Sequence, residues 1–88
     1  MKYYYVVELL ADYDTCTESK CTIVVNVDCL DIAIQSARNV YAENKEKLTS
    51  ATAVYALISK FVEFDTQENK LISMYLVNVR KNHLVALY

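Results

Sequence analysis

The segment TIVVNVDCLDIAIQSAR, residues Thr22–Arg38, decides the fold because its apolar pattern changes period at Asp28. Before Asp28, Ile23, Val25 and Val27 alternate with other residues, as in a β-strand with one buried face. After Asp28, apolar residues recur every three or four positions, which predicts a helix with a single apolar stripe. The stripe consists of Leu30, Ala33, Ile34, Ala37, Val40 and Tyr41.

These patterns predict a strand over Thr22–Val27 that runs directly into a helix from about Cys29 to about Lys47. Asp28 and Asp31 resemble a capping box, with aspartate in place of the usual Glu or Gln at the third helical position. We therefore expect Asp28 to cap the helix.

The N-terminal segment Tyr3–Leu10 is rich in tyrosine and valine, which suit a pleated surface, and it predicts the first strand. The acidic segment Asp12–Ser19 that follows it predicts the connection of a hairpin. Two later strands are predicted over Leu71–Val79 and Leu84–Leu87.

The segment Thr52–Phe64 is ambiguous because it fits both a strand and a helical stripe. We favour a strand, since Lys60–Asp65 alternates cleanly, with a bend or bulge near Ser59 and Lys60. The order β-β-α-β-β-β then predicts one α+β domain over residues 1–88. Its antiparallel sheet has four to five strands, and one helix packs on one face.

The chain has 88 residues and contains neither glycine nor proline. Without glycine there is no Walker loop, no dinucleotide-binding fingerprint and no usual nucleophile elbow, because each needs backbone that glycine adopts at low cost. The formal net charge of −2 disfavours direct nucleic-acid binding, which depends on a basic excess.

Three cysteines, Cys16, Cys21 and Cys29, and the single histidine, His83, are the candidates for thiol or metal chemistry. Cys29 lies in the first turn of the predicted helix, where a thiolate is favoured, but Asp28 opposes that charge. The spacings lack the close pairs of structural zinc sites. We expect ordinary reduced cysteines and no catalytic, cofactor or metal site. No secretory signal or membrane span is evident, which predicts a cytoplasmic protein.

One face of the predicted sheet poses a geometric problem. Five strands span about 24 Å, whereas one helix is about 10–12 Å across, so most of the sheet surface lacks cover. If one alternating set of the first strand, Tyr3, Tyr5, Val7 and Leu9, faces the helix, then Tyr4, Val6 and Leu10 face away, together with Val24 of the second strand. An exposed apolar face of this kind predicts a surface for a partner. The alternative is a sheet that curls into a partial barrel and buries both faces.

Acidic and tyrosine side chains are the other candidates for a contact surface. The two acidic clusters are most simply solvated turns, with acid–base catalysis, cation binding and docking onto a basic, nucleic-acid-binding partner as alternatives. Tyrosine is enriched at interfaces, although strand propensity and core filling also explain it. The clusters are Asp12, Asp14 and Glu18, and Glu63, Asp65 and Glu68; the candidate partner-binding residues are Tyr4, Val6, Asp12, Tyr13, Asp14 and Glu18.

The stretches KYYYVVE and TIVVNVDCLDIAIQSAR, followed by a β-rich tail, resemble small phage-encoded α+β proteins that inhibit bacterial CRISPR surveillance complexes. The matching element is the strand that runs directly into a helix opened by DCLDIA, residues Asp28–Ala33. The resemblance implies a stoichiometric inhibitor that binds a host defence protein or nucleoprotein complex and performs no chemistry. The mild acidity departs from members that bind DNA.

Three hypotheses follow from the sequence. The first is a non-catalytic protein-binding module, in the particular form of a phage or mobile-element inhibitor of a bacterial defence complex. The second is a homodimeric regulatory or structural protein whose sheets pack face to face. The third is a small enzyme or thiol protein that uses Cys29.

Overall fold

The computed structural model describes residues 1–66 and 68–88 and has the predicted order of strands and helix. The strands are β1 (Lys2–Asp12), β2 (Thr17–Val25), β3 (Ala53–Glu63), β4 (Asn69–Asn78) and β5 (His83–Ala86). The helix α1 (Leu30–Asn44) continues into a short 3₁₀ helix (Lys45–Leu48). The α+β prediction is confirmed, and the predicted helix Cys29–Lys47 corresponds closely to these two helical segments.

All five strands form one antiparallel sheet in the order β2-β1-β3-β4-β5. β2 and β5 lie at opposite edges and do not pair with each other, so the sheet does not close. Val24 on β2 and Val85 on β5 are 57% and 42% exposed, which does not agree with the alternative of a partial barrel that buries both faces. β1 pairs with β3 along its whole length, from Lys2 opposite Glu63 to Asp12 opposite Ala53. The long central pair β1–β3 therefore forms the spine of the sheet.

The core lies between α1 and one face of the sheet, which we call the helix face. Small residues on α1, Ala33 and Ala37, are fully buried and allow the helix to approach the sheet closely. Alternate residues of the central strands complete the core because successive strand side chains point to opposite faces. They include Tyr5, Val7, Leu9, Ala11, Val54, Ala56, Ile58 and Val77.

β2 differs from its prediction at both ends, since it covers Thr17–Val25 rather than Thr22–Val27. The extension lacks an apolar alternation, but an edge strand can be held by backbone pairing with its neighbour, here Leu10 opposite Ser19. The hairpin connection is therefore shorter than predicted, and the Tyr13 N–H donates to the Cys16 carbonyl at 2.8 Å.

The predicted capping box is wrong. The N-cap residue of α1 is Cys29, and it makes no side-chain capping hydrogen bond. The carboxylate of Asp28 instead contacts Lys60 Nζ at 2.8 Å. An ion pair with a strand residue has replaced the expected local cap.

An irregularity lies close to the predicted position, because the pairing of β3 with β4 shifts between Lys60 and Phe61, but the bulge is not in β3, which pairs with β1 without a shift. The extra residue is Ile72 in β4, since Ser73 pairs with Lys60 and Leu71 pairs with Phe61. The β4–β5 turn contains Asn82 at φ 53°, a conformation that asparagine tolerates better than most residues.

Candidate functional site

The face of the sheet opposite α1 is the candidate site, and we call it the open face. Among the described residues, both helical segments belong to the layer on the helix face, and none of them forms a layer over the open face. Strand alternation and register define its members on each strand. They are Lys2, Tyr4, Val6, Glu8, Leu10 and Asp12; Thr17, Ser19, Thr22 and Val24; Ala53, Tyr55, Leu57, Ser59, Phe61 and Glu63; Asn69, Leu71, Met74, Leu76 and Asn78; and His83 and Val85.

Apolar side chains form continuous rows across the open face. Leu57, Leu76 and Val85 lie side by side on β3, β4 and β5. In another row, Val24 on β2 lies beside Val6 on β1. Val24 is 57% exposed and Val85 is 42% exposed, so both edges of the face present aliphatic groups to solvent. An antiparallel sheet with one solvated face would normally carry polar residues there.

One corner of the open face is held rigid by an aromatic pair. The rings of Tyr4 and Phe61 stack with centroids 5.5 Å apart and an interplanar angle of 13°. The Tyr4 hydroxyl donates a hydrogen bond to Asn69 Oδ1 at 2.9 Å. Because its ring and its hydroxyl are both anchored, Tyr4 would lose little side-chain entropy on meeting a partner.

Glu8 places a carboxylate among the apolar rows. It lies between Thr22 on β2 and Leu57 on β3, and its Oε2 accepts a hydrogen bond from Ser19 Oγ at 2.7 Å. The neighbouring positions on β1 within this face are Val6 and Leu10. A partner that covered this region would have to supply a donor or a cation to Glu8.

The predicted contact residues fall into two separate groups. Tyr4 and Val6 lie on the open face, as predicted. Tyr13 instead packs against the core, with Lys20 Nζ 5.2 Å from its ring centroid. The three predicted acidic residues, Asp12, Asp14 and Glu18, belong to the β1–β2 hairpin or its flanking strand ends.

Two of these acidic residues have partners within the hairpin. Asp12 Oδ1 accepts from Thr17 Oγ1 at 2.6 Å, and Glu18 contacts Lys20 Nζ at 3.1 Å. Asp14 is exposed in the turn. The structure therefore does not bring the hairpin carboxylates together with Tyr4 and Val6 as one site.

Several open-face residues on β3, β4 and β5 were not singled out from the sequence. Tyr55, Leu57 and Phe61 alternate within Thr52–Phe64, so a signal was present, but the register of that strand was open. The apolar excess on the open face was predicted, whereas its largest contributors were not.

The thiol and histidine candidates lie apart. Cys29 precedes α1 on the helix face, whereas His83 lies on the open face beside Asn78, so the sheet lies between them. Cys16, Cys21 and Cys29 are free cysteines. Within residues 1–66 and 68–88, no group of three or more His, Cys, Asp or Glu side chains is arranged to hold a metal ion.

A lysine–tyrosine cluster on the helix face is the main electrostatic feature. Lys60 Nζ lies 4.8 Å from the ring centroid of Tyr3 and 5.8 Å from that of Tyr5, and it contacts Asp28. The hydrogen bond to Asp28 raises the pKa of Lys60, and burial raises the pKa of Tyr5. This cluster joins the start of α1 to the sheet.

The cluster predicts a loss of stability at alkaline pH. A group whose pKa is higher in the folded protein than in the unfolded chain stabilises the fold at pH values below its unfolded pKa. That stabilisation is lost as the pH rises through the pKa of the group in the folded protein. For Tyr5 and Lys60 the loss falls above about pH 10. In thermal melts, Tyr5→Phe should therefore lose less stability above about pH 10 than the parent, whereas the exposed control Tyr88→Phe should follow the parent. Identical alkaline profiles for all three proteins would contradict this assignment.

No protein-family model, curated protein or solved structure is similar enough to this chain to be matched to it. In the part of the chain that the structure describes, every helix is too short or too polar to cross a bilayer.

Proposed function

We propose that this chain is a non-catalytic protein-binding module that contacts its partner through the open face. The observation that carries the proposal is the set of apolar rows on that face, over which the described residues place no second layer. Apolar patches of this kind on small domains mark interaction surfaces.

The dimensions of the open face support this role. Five strands are about 24 Å wide, and the seven residues from Tyr4 to Leu10 extend about 23 Å, which gives a footprint of about 550 Å². A standard interface takes about 800 Å² of accessible surface from each partner. Covering about 400 Å² of apolar surface contributes about 10 kcal/mol before association costs, which are of similar size. Net affinity therefore depends on well-placed anchors such as Tyr4.

Glu8 favours a different protein over a second copy as the occupant of the open face. Face-to-face packing of two copies would bury two carboxylates, and burying a carboxylate without a cation is costly. On β1, the strand that carries Glu8, the one lysine is Lys2, and it lies at the end of the strand opposite Glu63. We infer that the partner presents an apolar surface with a basic side chain placed to meet Glu8.

The particular role that we propose is inhibition of a bacterial defence complex of the CRISPR type, by stoichiometric binding inside the bacterial cell. This finer proposal rests on the sequence resemblance, and the formal net charge of −2 favours binding to a protein surface over binding to DNA. The homodimer with packed sheet faces remains the alternative, and light scattering separates the two.

The test is capture of a stoichiometric partner from bacterial lysate, followed by mass spectrometry, with matched variants. Val24→Asp places a charge on the open face at a side chain that is already 57% exposed. Ile32→Asp is the control, since Ile32 is 45% exposed on α1, in the other layer. We expect Val24→Asp to reduce capture at least tenfold and Ile32→Asp to leave it unchanged.

Thermal melts of both variants establish that the fold is intact. Recovery of no stoichiometric partner, or equal capture by the two aspartate variants, would overturn the proposal.

A further inference from the structure

The two edges of the sheet differ in how they are protected from pairing with another strand. β2 carries Glu18 and Lys20 along its edge, and its pairing with β1 shifts between Leu9 and Leu10. Charges and irregularities of this kind discourage edge-to-edge association. β5 and the residues after it, His83–Tyr88, have the sequence HLVALY and contain neither an acidic residue nor a lysine or arginine. β5 therefore lacks the charges that protect β2, although its length of four residues limits how much pairing it can offer.

The side chains of β5 are exposed although they are apolar. Leu84 is 43% exposed, Val85 42%, and Leu87, just after the strand, 51%. Every residue of β5 is exposed, whereas alternate residues of β1 and β3 are buried. An apolar strand of this kind at a sheet edge is a template for a further strand.

The backbone of β5 has a defined set of groups that point away from the sheet. The Leu87 N–H donates to the Met74 carbonyl at 2.8 Å, so this N–H points toward β4, and the Met74 N–H donates to the Tyr88 carbonyl at 3.2 Å. Hydrogen-bonded and non-hydrogen-bonded pairs alternate along an antiparallel ladder, so Val85 and His83 also face β4. The N–H and carbonyl groups of Leu84 and Ala86 therefore point outward.

We propose that two copies of this chain pair antiparallel through β5 about a two-fold axis. Leu84 of each copy then pairs with Ala86 of the other, and the two residues exchange backbone hydrogen bonds in both directions. The two copies of Val85 face each other at the axis as a non-hydrogen-bonded pair, with their side chains on the open face. The result is a continuous ten-stranded sheet.

Self-complementarity identifies a second copy as the occupant. The register that satisfies the outward groups of Leu84 and Ala86 also places apolar side chains opposite each other on both faces of the sheet. It extends the row of Leu57, Leu76 and Val85 across the axis into the same row of the second copy. Because the strand has only four residues, we expect the dissociation constant of the dimer to lie in the micromolar range.

Edge pairing leaves both open faces available, so this proposal is independent of the proposed function. It differs from the face-to-face homodimer, in which the open faces would bury each other. A dimer through β5 would instead present two open faces on one continuous sheet.

The test is sedimentation equilibrium of the full chain from low to high micromolar concentration. We expect the mass to rise from 10.1 kDa toward twice that value. Val85→Lys places two like charges opposite each other at the axis, and Ala86→Pro removes an outward N–H; each should weaken the dimer at least tenfold. Val24→Lys is the matched control, because it is the same substitution on the open face at the other edge, and it should leave the dimer unchanged.

The outcomes are distinguishable. A monomer at every concentration overturns the edge dimer and leaves the proposed function standing. Dissociation by Val24→Lys but not by Val85→Lys overturns it in favour of association through the open face near β2. If Ala86→Pro fails to fold by circular dichroism, the pair Val85→Lys and Val24→Lys still decides the result.

Discussion

Replacing Ile58 with alanine is expected to lower the free energy of unfolding by about 2–5 kcal/mol. Ile58 is fully buried on β3 and belongs to the core cluster between the sheet and α1. The truncation removes apolar contacts and leaves a cavity that a close-packed core fills only partly. A domain of this size is stable by about 4–13 kcal/mol in total, so the loss is a large fraction. Urea denaturation followed by circular dichroism measures it.

Two further variants make this first prediction specific. Ile58→Val removes a single methylene and should cost about 0.5–1.5 kcal/mol. Val24→Ala removes methyl groups from the open face, where the side chain is 57% exposed, and should stay within about 0.5 kcal/mol. Equal losses for Ile58→Ala and Val24→Ala would show that the open face is as well packed as the core, which would contradict the two-face description of the sheet.

The division of β1 into two alternating sets of residues was predictable from local pattern. Tyr5, Val7 and Leu9 alternate with Tyr4, Val6 and Leu10, and the structure places the first set against α1 and the second on the open face. Both sets are largely apolar, so period alone could not show which was buried. The narrowness of a single helix relative to the sheet indicated that one of them would lack cover.

The pairing of β1 with β3 was not predictable from local pattern. Tyr5 and Lys60 pair across the sheet although more than half of the chain separates them in sequence. Local pattern reports which residues of a strand share a face but not which distant strand lies beside it. The same limit applies to Asp28, whose sequence position suits a helix cap but whose carboxylate contacts Lys60.

An exposed apolar sheet face was predictable from the sequence, but the residues that form it were only partly predictable. Tyr13 was chosen as an interface tyrosine, yet it packs against the core beneath Lys20. The acidic hairpin was proposed as a contact surface because of its charge, and Tyr4 because tyrosine is enriched at interfaces. In the structure, Asp12 and Glu18 have partners within the hairpin and do not form one site with Tyr4.

Replacing Arg80 with alanine is expected to lower the free energy of unfolding by about 1.5–3 kcal/mol. Arg80 follows β4 and donates from Nη1 to the Ala51 carbonyl and from Nη2 to the Leu48 carbonyl, both at 2.7 Å. Its Nε lies 3.4 Å from the Tyr41 hydroxyl on α1. One guanidinium thus satisfies the carbonyl groups where the 3₁₀ helix ends, and its charge suits that end of a helix.

Arg80 matters because it joins the two layers of a domain that has only one helix over its sheet. Arg80→Lys should fall between the parent and Arg80→Ala, since an ammonium cannot reproduce the forked geometry that reaches two carbonyls. Lys81→Ala, at an exposed neighbouring position, should stay within about 0.5 kcal/mol. Chemical denaturation of the three variants gives the ranking. If Arg80→Ala and Lys81→Ala prove equally stable, the guanidinium does not hold the helical layer to the β4 end, and the packing of Leu48 and Ala51 alone secures that layer.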